Sequence, residues 1–321
     1  MSLFLLKRFA TLIATLLAAS LLVFGVLEVL PGNAAQLLMG PDAAPEAVAA
    51  LAEKLGLNDS AWTRYGAWMV GLLLRGDMGL SYAYSTPVAE LMAERLALTV
   101  PLALIAMALT TVIALSAGVY AASRHNKPGD VGTMALSQLG IAVPNFWFAI
   151  LLILLFAVHL QWLPAGGFPG WRAEEGGGVW PALQALLLPA VSLAVVQAAI
   201  LARITRSAML EVLREDFVRS ARAKGLSRRG ALWGHALRNA MIPVLTVMGL
   251  QFANLLAGTI VVENVFYLPG LGRLIFQAIA NRDLIVVRNA VLLLAAMVIV
   301  VNFVVDVLYA WIDPRIKAAD L

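Results

Sequence analysis

Long apolar runs separated by short polar punctuation organise this chain. A helix that crosses a bilayer needs about 20 predominantly apolar residues. Six runs reach that length, at residues 9–30, 98–122, 131–160, 185–204, 241–262 and 286–312. The pattern predicts an all-α membrane protein with six transmembrane helices. The first run holds 22 residues, against roughly 7–15 for the apolar stretch of a secretory signal, and no convincing cleavage site follows it. It is expected to remain as an anchor.

Prolines punctuate the runs at Pro144, Pro189 and Pro243. Proline inside a membrane helix frees a carbonyl and kinks the axis, and neighbouring helices must repair the loss. The third run covers 30 residues, and VPNFWF around Pro144 is where it should break or bend. Gln138, Asn145, Gln197, Gln251 and Asn254 place polar groups at membrane depth. Each can be read as a helix–helix hydrogen bond worth about 1 kcal/mol or less. The functional reading is that they line a water-filled translocation path. Glu28 and Asp306 lie near the ends of the first and last runs. Ionisable residues inside a span are functional candidates, so a proton relay stands beside plain solvation or local pairing at the interface.

The largest non-spanning piece is residues 31–97. PEAVAALAEKLG reads as a short helix, with Pro45 in its first turn and Gly56 just past its end. SAWTRYGAWMVGLLL repeats Trp62, Tyr65, Trp68, Met69 and Leu72 at helical spacing but is too short to span. It predicts an interfacial amphipathic helix. Thr86 and Pro87 suit the cap and first turn of a helix leading into the second span.

Composition agrees with the pattern: 61% of the 321 residues are hydrophobic and 13% charged, against about a quarter charged in soluble domains. Cysteine is absent, which excludes disulfides and thiolate sites. The chain's net charge of +4 is a local feature. Residues 203–238 carry nine Lys/Arg against Glu211, Glu215 and Asp216, a net of +6, so the remainder is −2. Lys7, Arg8, Arg124, Lys127, Arg315 and Lys317 fall on the same side of the six-span arrangement as this loop. Segment 31–97 holds seven Asp/Glu against four Lys/Arg. The positive-inside bias therefore predicts cytoplasmic termini, a cytoplasmic basic loop and an extracytoplasmic segment 31–97.

No enzyme site assembles from the motifs. His125, His159 and His235 are scattered without metal-ligand spacing. GLSRRG, from Gly225 to Gly230, is followed by Ala231 and Leu232 where a phosphate-binding loop needs Lys and Ser/Thr. No cofactor, metal or nucleotide is expected on this chain.

The basic loop has its own grammar. Leu210, Leu213, Phe217 and Ala221 form one stripe of a helix, and Glu215 and Arg219, four apart, can pair on the other face. Gly225 follows where a left-handed C′ residue belongs. Ser227 can cap a second helix through RRGALWGHALRNA. Two helices joined at a glycine turn also describe a DNA-binding motif, but one held against a bilayer cannot reach a groove. A topology anchor and a docking element for a cytoplasmic partner both fit the spacing.

SARAKG followed by HALRNAMIPV resembles the coupling loop, called the EAA loop, of permease subunits of type I ATP-binding cassette importers. LPGNAAQLLMG, RGDMGLSY, VENVFYLPGLGRLIFQAIANRDL and NFVVDVLYAWIDPRI extend the resemblance over nearly the whole chain, toward the B-type permease of dipeptide and oligopeptide transporters. The resemblance implies an N-terminal portion, residues 1–94, holding the first helix and the extracytoplasmic segment. It also implies a permease domain 95–321 with a coupling loop at about 207–240. The implied partners are a second, homologous permease, two cytoplasmic ATPases that carry ATP and Mg, and an extracytoplasmic binding protein. The implied site is a bacterial cytoplasmic membrane, where the chain would meet lipid but no nucleic acid. Coupling would fall to Arg219, Ser220, Ala221, Gly225, Leu226, Ser227, Leu237 and Arg238. Arg219 stands where the family pattern has Glu, so the docking role carries over and the usual carboxylate salt bridge does not. A proton-coupled transporter using Glu28 or Asp306 is the alternative.

Topology reporters test the charge-bias argument. Fusions after Ser60 and Glu175 should report outside, and those after Lys127, Arg228 and Lys317 inside; a cytoplasmic Ser60 would overturn it.

Overall fold

The computed structural model describes residues 2–29, 34–40, 43–54 and 56–312. Leu30, Arg315, Lys317 and the LPGN that opens the first family motif lie outside them. The described residues form helices. In chain order they are α1 (Ser2–Val29), α2 (Ala34–Met39), α3 (Pro45–Lys54) and α4 (Ala61–Val70), which continues as a π-helical stretch Gly71–Arg75. Next come α5 (Val88–Ser123), α6 (Pro128–Ala142), α7 (Asn145–Leu152, continuing as π-helical Ile153–His159) and α8 (Val179–Val212). Last are α9 (Asp216–Ala223), α10 (Arg228–Gly230, continuing as π-helical Ala231–Ala236), α11 (Leu237–Val265), α12 (Leu271–Ala280) and α13 (Leu284–Ile312). Among the described residues, five stretches are long and apolar enough to cross a membrane, and six if the bent pair α6–α7 counts as one.

That pair breaks where the sequence predicts. α6 and α7 meet at 102°. The residue before a proline is pushed out of helical geometry, and Val143 is extended (φ −90°, ψ 122°) ahead of Pro144, which caps α7. A further proline, Pro101, lies inside α5. A helical proline leaves the carbonyl four residues back without its donor. That carbonyl belongs to Ala97, and the indole N–H of Trp171 donates to it at 2.7 Å.

α8 is the centre of the bundle: 72% of its apolar window is buried, against 11% for α1. Its most extensive contact is with α5. Lipid supplies no hydrophobic drive between helices, so close approach through small side chains does the work. Ala114, Ala122, Ala198 and Ala202 are buried along this seam. A Cβ on Gly118 would stand 2.6 Å from Thr205 Cβ and 2.8 Å from the Ala202 carbonyl.

In the segment before α5, the helix expected at the interface is packed against other helices. α4 is docked between α1 and α13. Tyr65 shares a 2.7 Å hydrogen bond with Ser20, and the buried Trp68 donates its indole N–H to Asn289 Oδ1 at 3.0 Å. Aromatic contacts of Phe24 with Tyr65 and Trp68 complete the seat. Trp62 alone of the predicted stripe's large aromatics stays exposed. Thr86 does not cap α5 either: its hydroxyl donates to the Tyr84 carbonyl, and Pro87 holds the cap position.

Gly118→Val should cost about 1–3 kcal/mol, the usual penalty for overpacking a close contact. Thermal unfolding in detergent would show it as a lowered midpoint, while Gly132→Val, at a glycine with nothing within 4 Å of the added Cβ, should leave the midpoint nearly unchanged.

Candidate functional site

The basic loop folds as a bracket across one end of the bundle. α8 stops at Val212, the chain turns through Leu213–Glu215, and α9 begins at Asp216. The turn interrupts the continuous stripe expected from Leu210 to Ala221. Val218 points inward with 2% exposure, while Phe217 is 42% exposed. Gly225 ends α9 with φ +93°. The Leu226 N–H reaches the Ala221 carbonyl at 3.2 Å and the Gly225 N–H reaches Arg222 at 3.0 Å. This pair of bonds is the Schellman ending, which needs a left-handed residue between them. Ser227 Oγ then accepts the Gly230 N–H at 3.1 Å, capping the next helix.

That second helix is not a separate short element. From Arg228 it runs through its π-helical turns straight into α11, a 38-residue stretch ending at Val265. Pro243 therefore lies inside a helix that begins well before the apolar run at 241–262. The consequence is mechanical: a force on Gly225–Arg228 acts directly on a membrane span. Leu232, Ala236 and Ala240 bury the base of the bracket against Leu201, Ala202 and Met209 of α8.

Polar ties fix the bracket to its neighbours. Arg228 donates to the Ser123 carbonyl at the end of α5, at 2.8 Å. Arg206 on α8 grips Asp130 on α6 through two bonds of 2.5 and 2.6 Å, with His125 Nδ1 3.2 Å from the same guanidinium. Asp130 is buried while Arg206 stays partly exposed, so this fork–fork pair is shielded on its acid side and open to solvent on its cation side.

The face turned away from the bundle is basic. Arg219, Ser220, Arg222, Lys224, Gly225, Leu226, Ser227, Arg228, Arg229 and Arg238 are exposed; Ala221 and Leu237 are half-buried. Exposed Phe217 and Trp233 flank the charges. Arg219 pairs with Asp216 at 3.4 Å, three residues away, not with Glu215. Both partners are largely exposed, so the pair holds the helix only weakly.

The five polar residues at membrane depth separate into groups. Gln251 Nε2 donates to the Gln197 backbone carbonyl at 2.9 Å, joining α11 to α8, and both residues are buried. Their side-chain carbonyl oxygens find no donor among the described residues. Asn145 is half-buried at the start of α7, facing Gly258 of α11. Gln138 and Asn254 are exposed on the surface of the single chain. The two candidate relay acids are both ion-paired: Glu28 with Arg64, and Asp306 with Arg8 at 3.2 Å.

A second polar network, at the opposite end of the bundle, is not legible in the sequence pattern. Glu263, near the end of α11, is fully buried and accepts from Thr99 Oγ1 at 2.7 Å and the Arg273 N–H at 3.1 Å. Asp283 accepts from Ser81 Oγ at 2.6 Å and the Ala83 N–H at 3.1 Å, and caps α13 through the Val286 N–H. Asn289 donates to the Met78 carbonyl at 2.8 Å. Two distant motifs, RGDMGLSY and VENVFYLPGLGRLIFQAIANRDL, thus close on each other. The available signal was an acid at the very end of an apolar run.

With the geometry in place, comparison with known proteins assigns the class. Residues 114–318 match the family described as the inner membrane component of binding-protein-dependent transport systems, and residues 1–103 match the N-terminal region of such membrane components. The chain belongs to this family. It is 43% identical over 317 residues to a putative peptide transport system permease protein of Brucella abortus, covering 99% of each chain. It is 39% identical over 327 residues to a dipeptide transport system permease protein of Alkalihalophilus pseudofirmus, covering 97% of this chain and 98% of that one. A glutathione transport system permease protein of Escherichia coli is 40% identical over 314 residues, with 98% of each covered. Among solved structures, the inward-facing MetNI methionine ABC transporter matches 70% of this chain and 96% of its own, with a TM-score of 0.58 at 17% identity. That likeness concerns the fold.

Arg206→Ala should destabilise the bracket end by about 1–2 kcal/mol, the scale of a lost charge-assisted hydrogen-bond pair that is partly exposed. Protease accessibility of residues 213–230 in membranes should rise, and Arg206→Ala/Asp130→Leu should restore much of the protection.

Proposed function

We propose that this chain is one of two membrane subunits of an importer that moves di- or oligopeptides across a bacterial cytoplasmic membrane by alternating access. The observation that carries the reading is the bracket. Exposed cations flanked by Phe217, Leu226 and Trp233 offer a surface that a protein partner could cover, and the element is continuous with a span. In this reading a cytoplasmic ATPase seats on Arg219–Ser227 and a second ATPase on the homologous loop of a companion permease. Both termini are cytoplasmic, and ATP with Mg resides on the ATPases. Their closure pulls α9 and Gly225, and α11 transmits the displacement to the far end of the bundle. An extracytoplasmic binding protein delivers the substrate there. Peptide as the substrate class is supported by the names of the relatives, which share identity over nearly their full lengths. The proton-coupled alternative has little to work with, since Glu28 and Asp306 are each held by an arginine.

Gly225→Val tests the coupling role. A β-branched side chain at φ +93° imposes roughly 1–2 kcal/mol of strain on the turn, not on the spans. Membrane levels should be normal, ATPase association weakened and binding-protein-stimulated ATP hydrolysis lost. Arg219→Glu should do less, because its present partner is an exposed Asp216. Normal coupling in Gly225→Val would reduce the loop to a topology anchor. Uptake of labelled di- and tripeptides by the reconstituted complex, with glutathione as competitor, tests the substrate class.

A further inference from the structure

The docked segment encloses a space that the transport reading does not use. A cavity of about 280 Å³ lies between α1, α4 with its π-helical end, and α13. Leu16 and Leu17, Leu72 and Leu73, and Leu292 and Leu293 form its walls. Its polar residues are already occupied: Ser20 with Tyr65, and Asn289 with Trp68 and the Met78 carbonyl. Leu17 and Leu73 are exposed on the flank of the bundle, so the space communicates with the hydrocarbon that surrounds these spans. Nothing in it would hold water, because a buried water needs two to four polar partners.

A cation lies next to the lining residues in the chain. Arg288 lies one turn before Leu292 on α13, and its guanidinium sits 4.3 Å from the ring centroid of Trp68, the neighbour of Met69 in the cavity wall. Among the described residues Arg288 has no ion pair and its buried Nε–H has no acceptor. The acids that might serve it are engaged elsewhere. Glu28 is held by Arg64, and the oxygens of Asp283 take Ser81, Ala83 and Val286. Arg64 is within electrostatic reach of Arg288, and its own Nε–H also lacks an acceptor. Arg288, with no ion pair among the described residues and an unmet Nε–H close to an apolar slot, suits an anion that carries a hydrocarbon chain; Arg64, already paired with Glu28, keeps one further N–H free.

We propose that this cavity holds an acyl chain of an anionic phospholipid whose phosphate is met by Arg288, with Arg64 beside it. Guanidinium matches phosphate oxygens through paired N–H donors, and the acyl chain takes the place of packing that the helices do not supply. The lipid then braces α4 against α1 and α13. A soluble peptide offers no chain for the slot, and a zwitterionic lipid places its own cation beside the arginines.

Native mass spectrometry of the complex, purified in mild detergent with added phosphatidylglycerol or phosphatidylcholine, decides the matter. The wild type should retain phosphatidylglycerol preferentially. Arg288→Gln should lower that retention about tenfold, the scale of a lost charge-assisted hydrogen-bond pair. Ala296→Phe, which fills the slot without touching a charge, should lower it similarly, and Arg172→Gln should leave it unchanged. Because Ala296→Phe keeps every charged group, it decides the question if Arg288→Gln does not assemble. A photoreactive residue at Leu73 should label lipid. Equal retention of the two lipids, unchanged retention in the assembled variants, or crosslinking of Leu73 to a companion permease would each overturn the proposal.

Discussion

The close contact of α5 with α8 is the constraint on which the rest of this structure depends. In hydrocarbon two helices gain little by hiding leucine from leucine, so their association must come from backbone approach and dispersion. Gly118 and a run of alanines let the two axes meet tightly against Thr205 and Ala202. Once that seam is set, α6 is drawn in by the Arg206–Asp130 fork, and α11 by the Gln251–Gln197 bond. The bracket inherits its position from this frame, since α8 enters it and α11 leaves it.

The two ends of the bundle use polar groups differently. At the bracket end the cations are exposed and weakly paired, leaving a surface that a partner can neutralise. At the other end the carboxylates are buried and saturated: Glu263 by Thr99 and Arg273, Asp283 by Ser81 and Ala83. A buried carboxylate that accepts several hydrogen bonds behaves as a fixed joint. One end thus presents an open, charged surface, and the other holds its loops in register through buried hydrogen bonds.

The broken third run belongs to the same logic. A membrane helix can bend only where the freed backbone groups find new partners. Pro144 places the bend beside Gly258 on α11, where Asn145 approaches. Pro101 is tolerated in α5 because Trp171 reaches the Ala97 carbonyl. Trp171 lies far away in sequence, in the connection between α7 and α8, so that connection is tied to α5.

By itself the sequence determined the membrane class, the number of apolar runs, the break at Pro144, the turn at Gly225 and the cap at Ser227. These features rest on local physics: run length against bilayer thickness, proline sterics, a positive φ and a hydroxyl within reach of an N–H. Only the tertiary structure decided which groups meet. It put Arg64 on Glu28, Arg8 on Asp306 and Asp216 on Arg219, and it packed α4 between α1 and α13, neighbours that its aromatic stripe could not name. It also made the second bracket helix one with α11 and buried Glu263 among donors from α5 and the α12 turn. Periodicity says which side chains share a face of one helix. Which face of another helix receives them depends on the packing of the whole bundle, and no local window of sequence contains that.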